Sequence, residues 1–272
     1  MKLNTIHQEA KKLVKEVGEF IREESENFNT AKVEHKGFND LVSYVDKEAE
    51  KRLVEGLGEI LPESGFIAEE GTSNKKGERY NWIIDPLDGT TNFVHGLPVF
   101  SISVALQEND EIVSGMVLEI NRDECFEAVK GESSKLNGNP ISVSKNIDLS
   151  QSLIATGFPY NDFDKMDDYL SILKHLMQNT HGLRRFGSAA VDLAYVACGR
   201  YEGYFEYNLN AWDVAAGAFI VQQAGGKVSR FNGDKDYIFG REILSCSSDI
   251  YEELLTVIQN QWKHNQARGA RE

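Results

Sequence analysis

Apolar residues recur every three or four positions over the first 60 residues, and this spacing places them on one face of an α-helix. The first stripe runs from Leu3 to Ile21 and ends in the polar segment ESENFN. A second stripe predicts a helix over about 41–61, which ends before Pro62 because proline cannot continue a helix. We therefore expect two amphipathic helices at the start of the chain.

Short runs of β-branched and aromatic residues follow, bounded by Asn, Asp and Gly, and this pattern predicts strands. The expected strands lie at 65–68, 81–84, 99–106, 112–118 and 124–129. The last three are expected to form an antiparallel run, because turn residues separate them at Asn109-Asp110 and at 121–123. A further turn is expected at Asn137-Gly138.

The second half of the chain mixes strands with strongly apolar helices. Strands are expected at 153–156, 201–205, 227–230 and 243–246, and helices at 165–177, 188–198, 211–224 and 248–262. This mixture predicts a layered α/β fold. We expect one domain over 1–272, with an N-terminal half of about 1–150, a C-terminal half of about 151–265 and a disordered tail at 264–272.

Composition limits the partners of this chain. Its 272 residues are 41% hydrophobic, enough for a substantial core, and its formal net charge is −14. Such a surface repels nucleic acids and anionic membranes, so we expect neither as a partner. An anionic substrate is compatible with this charge only if cations neutralise its binding site.

The cysteines and the N-terminus predict a cytoplasmic protein. The three cysteines are widely spaced and form no CxxC pair, which is typical of reduced thiols. The first 20 residues carry charges throughout and lack the apolar core of a signal peptide. No stretch of about 18 uncharged apolar residues is present, so no membrane span is expected.

The segment NWIIDPLDGTTNF, at 81–93, carries the clearest chemical signal. Asp85 and Asp88 lie three positions apart at the end of an apolar strand, where both carboxylates can face one point. Hard cations such as Mg²⁺ prefer such oxygen clusters. The Gly89-Thr90-Thr91 sequence that follows offers backbone N–H groups and a hydroxyl to a phosphate. Together these features indicate metal-assisted phosphate ester chemistry.

Three further acidic segments are candidates, although each has an ordinary structural explanation. Asp213 can stabilise a helix N-terminus, Asp46 can be a solvated helix residue and the pair Glu69-Glu70 can be a surface turn. Three of the four acidic segments sit at a strand end or a helix start, from which a carboxylate can point into a cleft.

The motifs together resemble the inositol monophosphatase family, which consists of Mg²⁺-dependent, lithium-sensitive phosphomonoesterases. The resemblance rests on AEEG, DPLDGTTNF, GSAA and NAWDVAAG, in this order, and it extends over nearly the whole chain. It implies a five-layer αβαβα sandwich of the sugar phosphatase type, with the site where two sheets meet. It also implies a homodimer and a polyol phosphate as substrate, with myo-inositol 1-phosphate as the leading candidate.

The same resemblance implies two or three Mg²⁺ ions per site. Glu69, Asp85 and the carbonyl of Leu87 would hold the first ion, and Asp85, Asp88 and Asp213 the second. Thr90, oriented by Asp46, would position the attacking water, and Glu69 would help to take its proton. No phosphoenzyme is expected.

The resemblance assigns substrate contacts to the phosphate-binding N–H groups and to residues near the sugar hydroxyls. The expected contacts are Asp88, Gly89, Thr90, Gly187, Ser188, Ala189, Glu206 and Asp213. Gly187-Ser188 can equally be a helix N-cap, and the two roles are compatible. Asn210 departs from the family pattern, because animal members carry a histidine there, and this puts an animal-type inositol pocket in doubt.

Two alternatives remain open at this point. Fructose 1,6-bisphosphate would need a cation for its second phosphate, and Arg184, Arg185 and Lys36 are the candidates. A mainly regulatory binding role is the other alternative, although the complete acidic set argues against a purely non-catalytic protein. Zinc chemistry is not indicated, because the six histidines form neither HxH nor HExxH.

Overall fold

The computed structural model describes residues 2–28, 33–37, 40–73, 75–160 and 162–262. The side chains of 33–37 and 40–42 are not among the described parts. The side chain of Lys36, a candidate cation, and the tail at 264–272 therefore lie outside the described parts of the chain.

The helices agree closely with the periodicity of the sequence. They are α1 (Leu3–Glu26), α2 (Tyr44–Ile60), α3 (Thr90–Val94), α4 (Met166–Asn179), α5 (Ala189–Ala197), α6 (Ala211–Gln223) and α7 (Tyr251–Gln261). The prediction that the second helix starts near residue 41 was wrong, because α2 begins at Tyr44. Asp40–Ser43 is a strand, and the Ser43 side chain caps α2 by accepting a hydrogen bond from the backbone N–H of Val45.

The strands confirm the expected alternation and add several short ones. They are β1 (Val33–Gly37), β2 (Asp40–Ser43), β3 (Gly65–Ala68), β4 (Tyr80–Asp88), β5 (Ser101–Glu108), β6 (Glu111–Glu119), β7 (Glu124–Val129), β8 (Lys135–Leu136), β9 (Asn139–Pro140), β10 (Leu153–Thr156), β11 (Gly182–Arg184), β12 (Gly203–Tyr207), β13 (Lys227–Ser229) and β14 (Glu242–Cys246). Asn109 and Asn137 have positive φ, as their expected turns require.

Within the described residues, these strands form a hairpin and two larger sheets. The larger sheet has the order β3-β4-β5-β6-β7-β8-β9 and is antiparallel except for the parallel pair β3–β4. The smaller sheet has the order β11-β10-β12-β14-β13 and mixes parallel and antiparallel pairs. The predicted antiparallel run β5–β6–β7 is thus confirmed.

Three apolar clusters bind the layers together. One packs α1 and α2 against the outer face of the larger sheet, and a second packs α5 and α6 between the two sheets. The third packs α4 and α7 against the far face of the smaller sheet. The order of layers is therefore helix, sheet, helix, sheet, helix, and the expected αβαβα sandwich is confirmed. The helices α5 and α6 are apolar nearly all round because both of their faces are buried.

No helix in the described part of the chain has the length and the apolar composition needed to cross a membrane.

Candidate active site

The two acids of the DPLD segment lie at an irregularity in β4. Asp85 pairs with Ser103 and Asp88 with Ser101, so that β4 contains one residue more than β5 between these pairs. Such a bulge re-aims side chains, and it also accommodates Pro86, which cannot donate to the ladder. The strand therefore continues to Asp88 rather than ending at Ile84, as the apolar pattern had suggested.

Glu69 reaches the same place from the neighbouring strand. Because β3 runs parallel to β4 with Ala68 opposite Ile84, the residue that follows β3 lies beside Asp85. The backbone N–H of Glu69 donates to the carbonyl of Ile84 at 3.3 Å. The buried carboxylate of Glu50, on α2, holds the following loop by accepting from the backbone N–H groups of Glu70 and Thr72, each at 2.7 Å. No motif in the sequence indicates this support from Glu50.

Asp88 and Asp213 are both fixed at helix N-termini between the sheets. Asp88 Oδ2 accepts from Ser188 Oγ at 2.6 Å and from the backbone N–H of Ala190 at 2.7 Å, at the start of α5. Asp213 Oδ2 accepts from the backbone N–H of Asn210 at 2.6 Å, at the start of α6. The structural explanation for Asp213 is thus correct, and it does not exclude a role in the pocket.

The acids of this site oppose one another's ionisation. Burial, followed by the charges of Glu69, Asp88 and Asp213, raises the pKa of Asp85 well above its usual range. Burial raises the pKa of Asp88 to about 6, and burial together with the charge of Asp88 raises the pKa of Asp213 to about 7. A cation among these groups would relieve that repulsion.

The donor set fits a hard divalent cation. Glu69, Asp85, Asp88, Asp213 and the Leu87 carbonyl offer oxygen atoms only, which Mg²⁺ prefers, and Mg²⁺ usually keeps several waters as further ligands. In the described ranges, no three His, Cys, Asp or Glu side chains are already grouped as a complete metal site. The fit therefore rests on the shared pocket, the oxygen chemistry and the mutual repulsion of the acids.

Thr90, Asp46 and Leu87 form a connected group beside the acids. The Thr90 hydroxyl lies 2.8 Å from Asp46 Oδ1 and 2.9 Å from the Leu87 carbonyl oxygen. Asp46 is 1% exposed, and its other oxygen accepts from the backbone N–H and the hydroxyl of Ser43. The ordinary explanation of Asp46 as a solvated charge is therefore wrong. Its carboxylate is fully positioned within the fold.

The backbone around the acids approaches the pocket closely because of two glycines. Gly89 has a φ of 95° and Gly187 a φ of 84°, values that favour glycine over other residues. A Cβ on Gly89 would lie 3.2 Å from the Gly187 carbonyl oxygen, so the two segments pack directly against each other. Ser188 caps α5 through its hydroxyl, which accepts from the backbone N–H of Val191, and it also lines the pocket.

Glu206 lies on β12, in the smaller sheet, lines the same cavity and is 7% exposed. Its Oε2 accepts from the Tyr204 hydroxyl at 2.5 Å. Burial raises the pKa of Glu206 to about 8. A Cβ on Gly157 would lie only 1.8 Å from Glu206 Oε2, so this position must be glycine for the carboxylate to take its place. No motif in the sequence signals this role of Gly157.

All of these segments line one cavity of about 310 Å³. The lining contains every predicted metal and substrate residue, namely Glu69, Asp85, Leu87, Asp88, Gly89, Thr90, Gly187, Ser188, Ala189, Glu206 and Asp213. Asp46 is not in the lining and contacts it through Thr90. The sequence pattern that defines the inositol monophosphatase family matches residues 2–266.

The chain belongs to the inositol monophosphatase family. A protein of Neisseria meningitidis serogroup B named putative Nus factor SuhB is 40% identical over 257 residues, which cover 94% of this chain and 98% of that protein. An inositol-1-monophosphatase of Rhizobium meliloti is 41% identical over 225 residues, 82% of this chain and 85% of that protein. The crystal structure of the suppressor protein suhB from Bartonella henselae has a TM-score of 0.88 and 35% identity, covering 94% of this chain and 98% of that one.

Membership of the inositol monophosphatase family confirms the predicted family and the enzyme class, a phosphoric monoester hydrolase. The cavity lining also includes residues that lie outside the sequence motifs, among them Phe158, Tyr160, Asn208 and Arg241, which together with Arg185 are called the rim of the site. Arg184 is exposed and does not line the cavity. Asn210 accepts from Arg241 Nη1 at 2.6 Å, so the position that departs from the family pattern serves here to hold an arginine.

Proposed function

We propose that this chain hydrolyses a phosphate monoester of a polyol, with myo-inositol 1-phosphate as the leading substrate, by direct attack of water. The observation that carries the proposal is the convergence of Glu69, Asp85, Asp88 and Asp213 on one cavity. The N–H groups at the start of α3, at Gly89 to Thr91, lie in the same cavity and suit a phosphate group.

Glu69, Asp85, the Leu87 carbonyl, Asp88 and Asp213 are the residues that would hold Mg²⁺, as two or three ions. When bound, Mg²⁺ lowers the pKa of a water molecule and stabilises negative charge on the phosphate and leaving oxygens. The side chains themselves repel an anionic substrate, so the proposal requires that the acids be neutralised first.

Residues of the chain itself would position the attacking water, accept its proton and hold the phosphate. Thr90 would hold the attacking water through its hydroxyl. The hydroxyl donates a hydrogen bond to Asp46, so its oxygen remains free to accept a hydrogen bond from the water. Glu69 would receive a proton from that water. The backbone N–H groups of Gly89 and Thr90 would hold the phosphate oxygens as their charge increases. Glu206 and Ser188 are placed to contact hydroxyls of the polyol.

A phosphate-release assay tests the proposal. The purified protein would be given myo-inositol 1-phosphate with Mg²⁺, and with a chelator in a parallel reaction. We expect release that depends on Mg²⁺. Equal release in the presence of the chelator would overturn the metal requirement, and no release from any polyol phosphate would overturn the activity.

A second candidate is a regulatory role, which the Nus-factor names of several relatives favour. It makes a different prediction for Asp88→Asn. Loss of hydrolysis together with an intact cellular role would support regulation, whereas loss of both would support catalysis. The net charge of −14 still argues against direct binding of nucleic acid.

We also propose a homodimer in the cytoplasm, from the family resemblance and from the composition. Light scattering on the purified chain would measure its mass against the monomer mass of 30.5 kDa. A monomeric mass at all tested concentrations would remove the dimer from the proposal.

A further inference from the structure

The loop at 69–72 carries one of the candidate metal ligands, and a buried side chain of α2 holds this loop in place. Glu69 directly follows β3, and its backbone N–H donates to the Ile84 carbonyl at 3.3 Å, which is longer than the usual range. The rest of the loop is bound by Glu50, whose side chain lies in the core at 0% exposure. The position of Glu69 therefore depends on a residue that does not line the cavity.

Both oxygens of the Glu50 carboxylate bind the loop. Oε2 accepts from the backbone N–H of Glu70 and Oε1 from that of Thr72, each at 2.7 Å. Gly71 lies between the two donors and has a φ of 70°, a value that favours glycine. A Cβ on Gly71 would meet no described atom within 4 Å, so the backbone turn, rather than lack of space, favours glycine at this position.

The buried charge of Glu50 has no cation beside it. In the part of the chain that the structure describes, no Lys, Arg or His lies within ion-pair distance of its carboxylate. Burial of such a charge is costly, and charge-assisted hydrogen bonds from N–H groups offset the cost. Glutamine would offer one oxygen to the two donors, and its NH₂ group would face the other N–H. The two converging N–H groups thus require a carboxylate.

The other acids of the cavity are held without this loop. Asp85 lies within β4 and accepts from the backbone N–H of Leu87 at 3.0 Å. Asp88 is fixed at the start of α5 and Asp213 at the start of α6. Among these four acids, Glu69 is the one that lies outside a helix or strand. A looser loop should therefore displace Glu69 and leave the other three acids in place.

We propose that Glu50 is a positioning residue for the metal site, and that it fixes the 69–72 loop so that Glu69 is in place before a divalent cation enters. This proposal rests on the metal site of the proposed function. The helix α2 would then support the site twice, because Asp46 lies one turn before Glu50 on the same face and accepts from the Thr90 hydroxyl.

Mn²⁺ binding to the substrate-free protein tests the proposal, with the free ion measured by its electron paramagnetic resonance signal. Hydrogen exchange of the metal-free protein measures the loop directly. The proteins are the wild type, Glu50→Gln, Gly71→Ala and Glu119→Gln. The last is a matched control, because Glu119 is 1% exposed and accepts from the backbone N–H of Arg122 at 2.7 Å, in a turn that does not line the cavity.

We expect Glu50→Gln to weaken the binding of one Mn²⁺ ion by about 10- to 100-fold, the range for residues that support metal ligands. In the metal-free variant the amides of Glu70 and Thr72 should exchange faster, while those of α6 keep their rates. Gly71→Ala should have the same two effects more weakly, because it disturbs the turn without changing the buried carboxylate. Glu119→Gln should leave Mn²⁺ binding within about twofold of wild type.

Unchanged Mn²⁺ affinity in Glu50→Gln would overturn the proposal, and so would unchanged exchange at the loop or an equal loss of affinity in Glu119→Gln. If Glu50→Gln does not fold, the same two measurements on Gly71→Ala decide. A wild type that binds no Mn²⁺ would overturn the proposed metal site, and this inference with it. A wild type that binds Mn²⁺ but releases no phosphate would overturn the proposed hydrolysis alone.

Discussion

Neutralising Glu206 should change how the stability of the metal-free protein depends on pH. Burial raises the pKa of Glu206 to about 8 from an ordinary value of 4.5, and the charges of Asp213 and Asp88 add to the effect against the opposing hydrogen bond from Tyr204. The folded protein therefore keeps a proton that the unfolded chain has released. The contribution of Glu206 to the stability of the folded protein is fully present below about pH 4.5. This contribution decreases as the pH rises towards about 8.

The size of the expected change in unfolding free energy follows from the difference between these two pKa values of Glu206. At 1.36 kcal/mol per pKa unit, Glu206 alone accounts for a loss of roughly 4 to 5 kcal/mol of unfolding free energy between these pH values, to order of magnitude. In the Glu206→Gln variant the side chain would keep its shape and an oxygen for the Tyr204 hydroxyl, but it could not ionise. This substitution should thus remove most of that loss and leave a shallower pH dependence.

Urea unfolding in the presence of a chelator, at several values between about pH 5 and 8, measures the effect. Glu124→Gln is the matched control. Hydrogen bonds from Arg200 hold the pKa of Glu124 below its ordinary value, so over this range the control should lower stability by a constant amount. Its curve should run parallel to that of the wild type. The stability of Glu206→Gln relative to the wild type should instead increase as the pH rises, because only the wild type loses the proton at this position.

Parallel curves for the wild type and Glu206→Gln would refute the reasoning, because they would mean that Glu206 does not carry its proton in the folded state. A wild type that gains stability with rising pH in the chelator would refute it more broadly, since the neighbouring acids should act in the same direction as Glu206.

Three further predictions concern the same cavity. Asp85→Asn or Asp213→Asn should lower kcat/KM by about 100-fold or more while the circular dichroism spectrum is retained, and near wild-type turnover would contradict their assignment to the metal site. Gly157→Ala should lower kcat/KM, because its Cβ would displace the Glu206 carboxylate; an unchanged crystal position of Glu206 would contradict this. Lithium at millimolar concentration should inhibit at fixed Mg²⁺, with potassium as the control, an expectation from the family resemblance alone.

Most of the fold could be predicted from the sequence because its long elements have strong periodicity. The stripe from Leu3 to Ile21 and the apolar run at 211–224 have no plausible alternative to helix, and both were correct within a few residues. The errors in the predicted elements lie where tertiary contacts determine the ends of a strand or helix. The β4 strand continues through Pro86 because a bulge removes the need for its N–H, and no local pattern signals such a bulge.

The acidic half of the site could be predicted for a different reason. Asp85, Asp88 and Asp213 lie within short sequence motifs, and the residue types in these motifs indicate metal and phosphate binding. No comparable motif indicates which arginine lines the cavity. Arg184 and Arg185 are adjacent and chemically identical in the sequence, and only the path of the chain after β11 turns Arg185 into the cavity and leaves Arg184 in solvent.

The acids could be predicted from the sequence and the arginines could not, and the physical reason for this difference also concerns the choice of substrate. Metal ligands must satisfy a fixed number of oxygens at short distances, which restricts both residue type and spacing. A phosphate that is not being cleaved needs only a nearby positive charge with suitable donors, and this charge can come from any loop that reaches the rim. Arg185 reaches it after β11, and Arg241 reaches it from the segment before β14, where its φ of 65° is unusual for a residue with a side chain. We therefore expect substrate selection in this chain to vary with the rim residues, and the proposed hydrolysis to depend on the acids of the cavity.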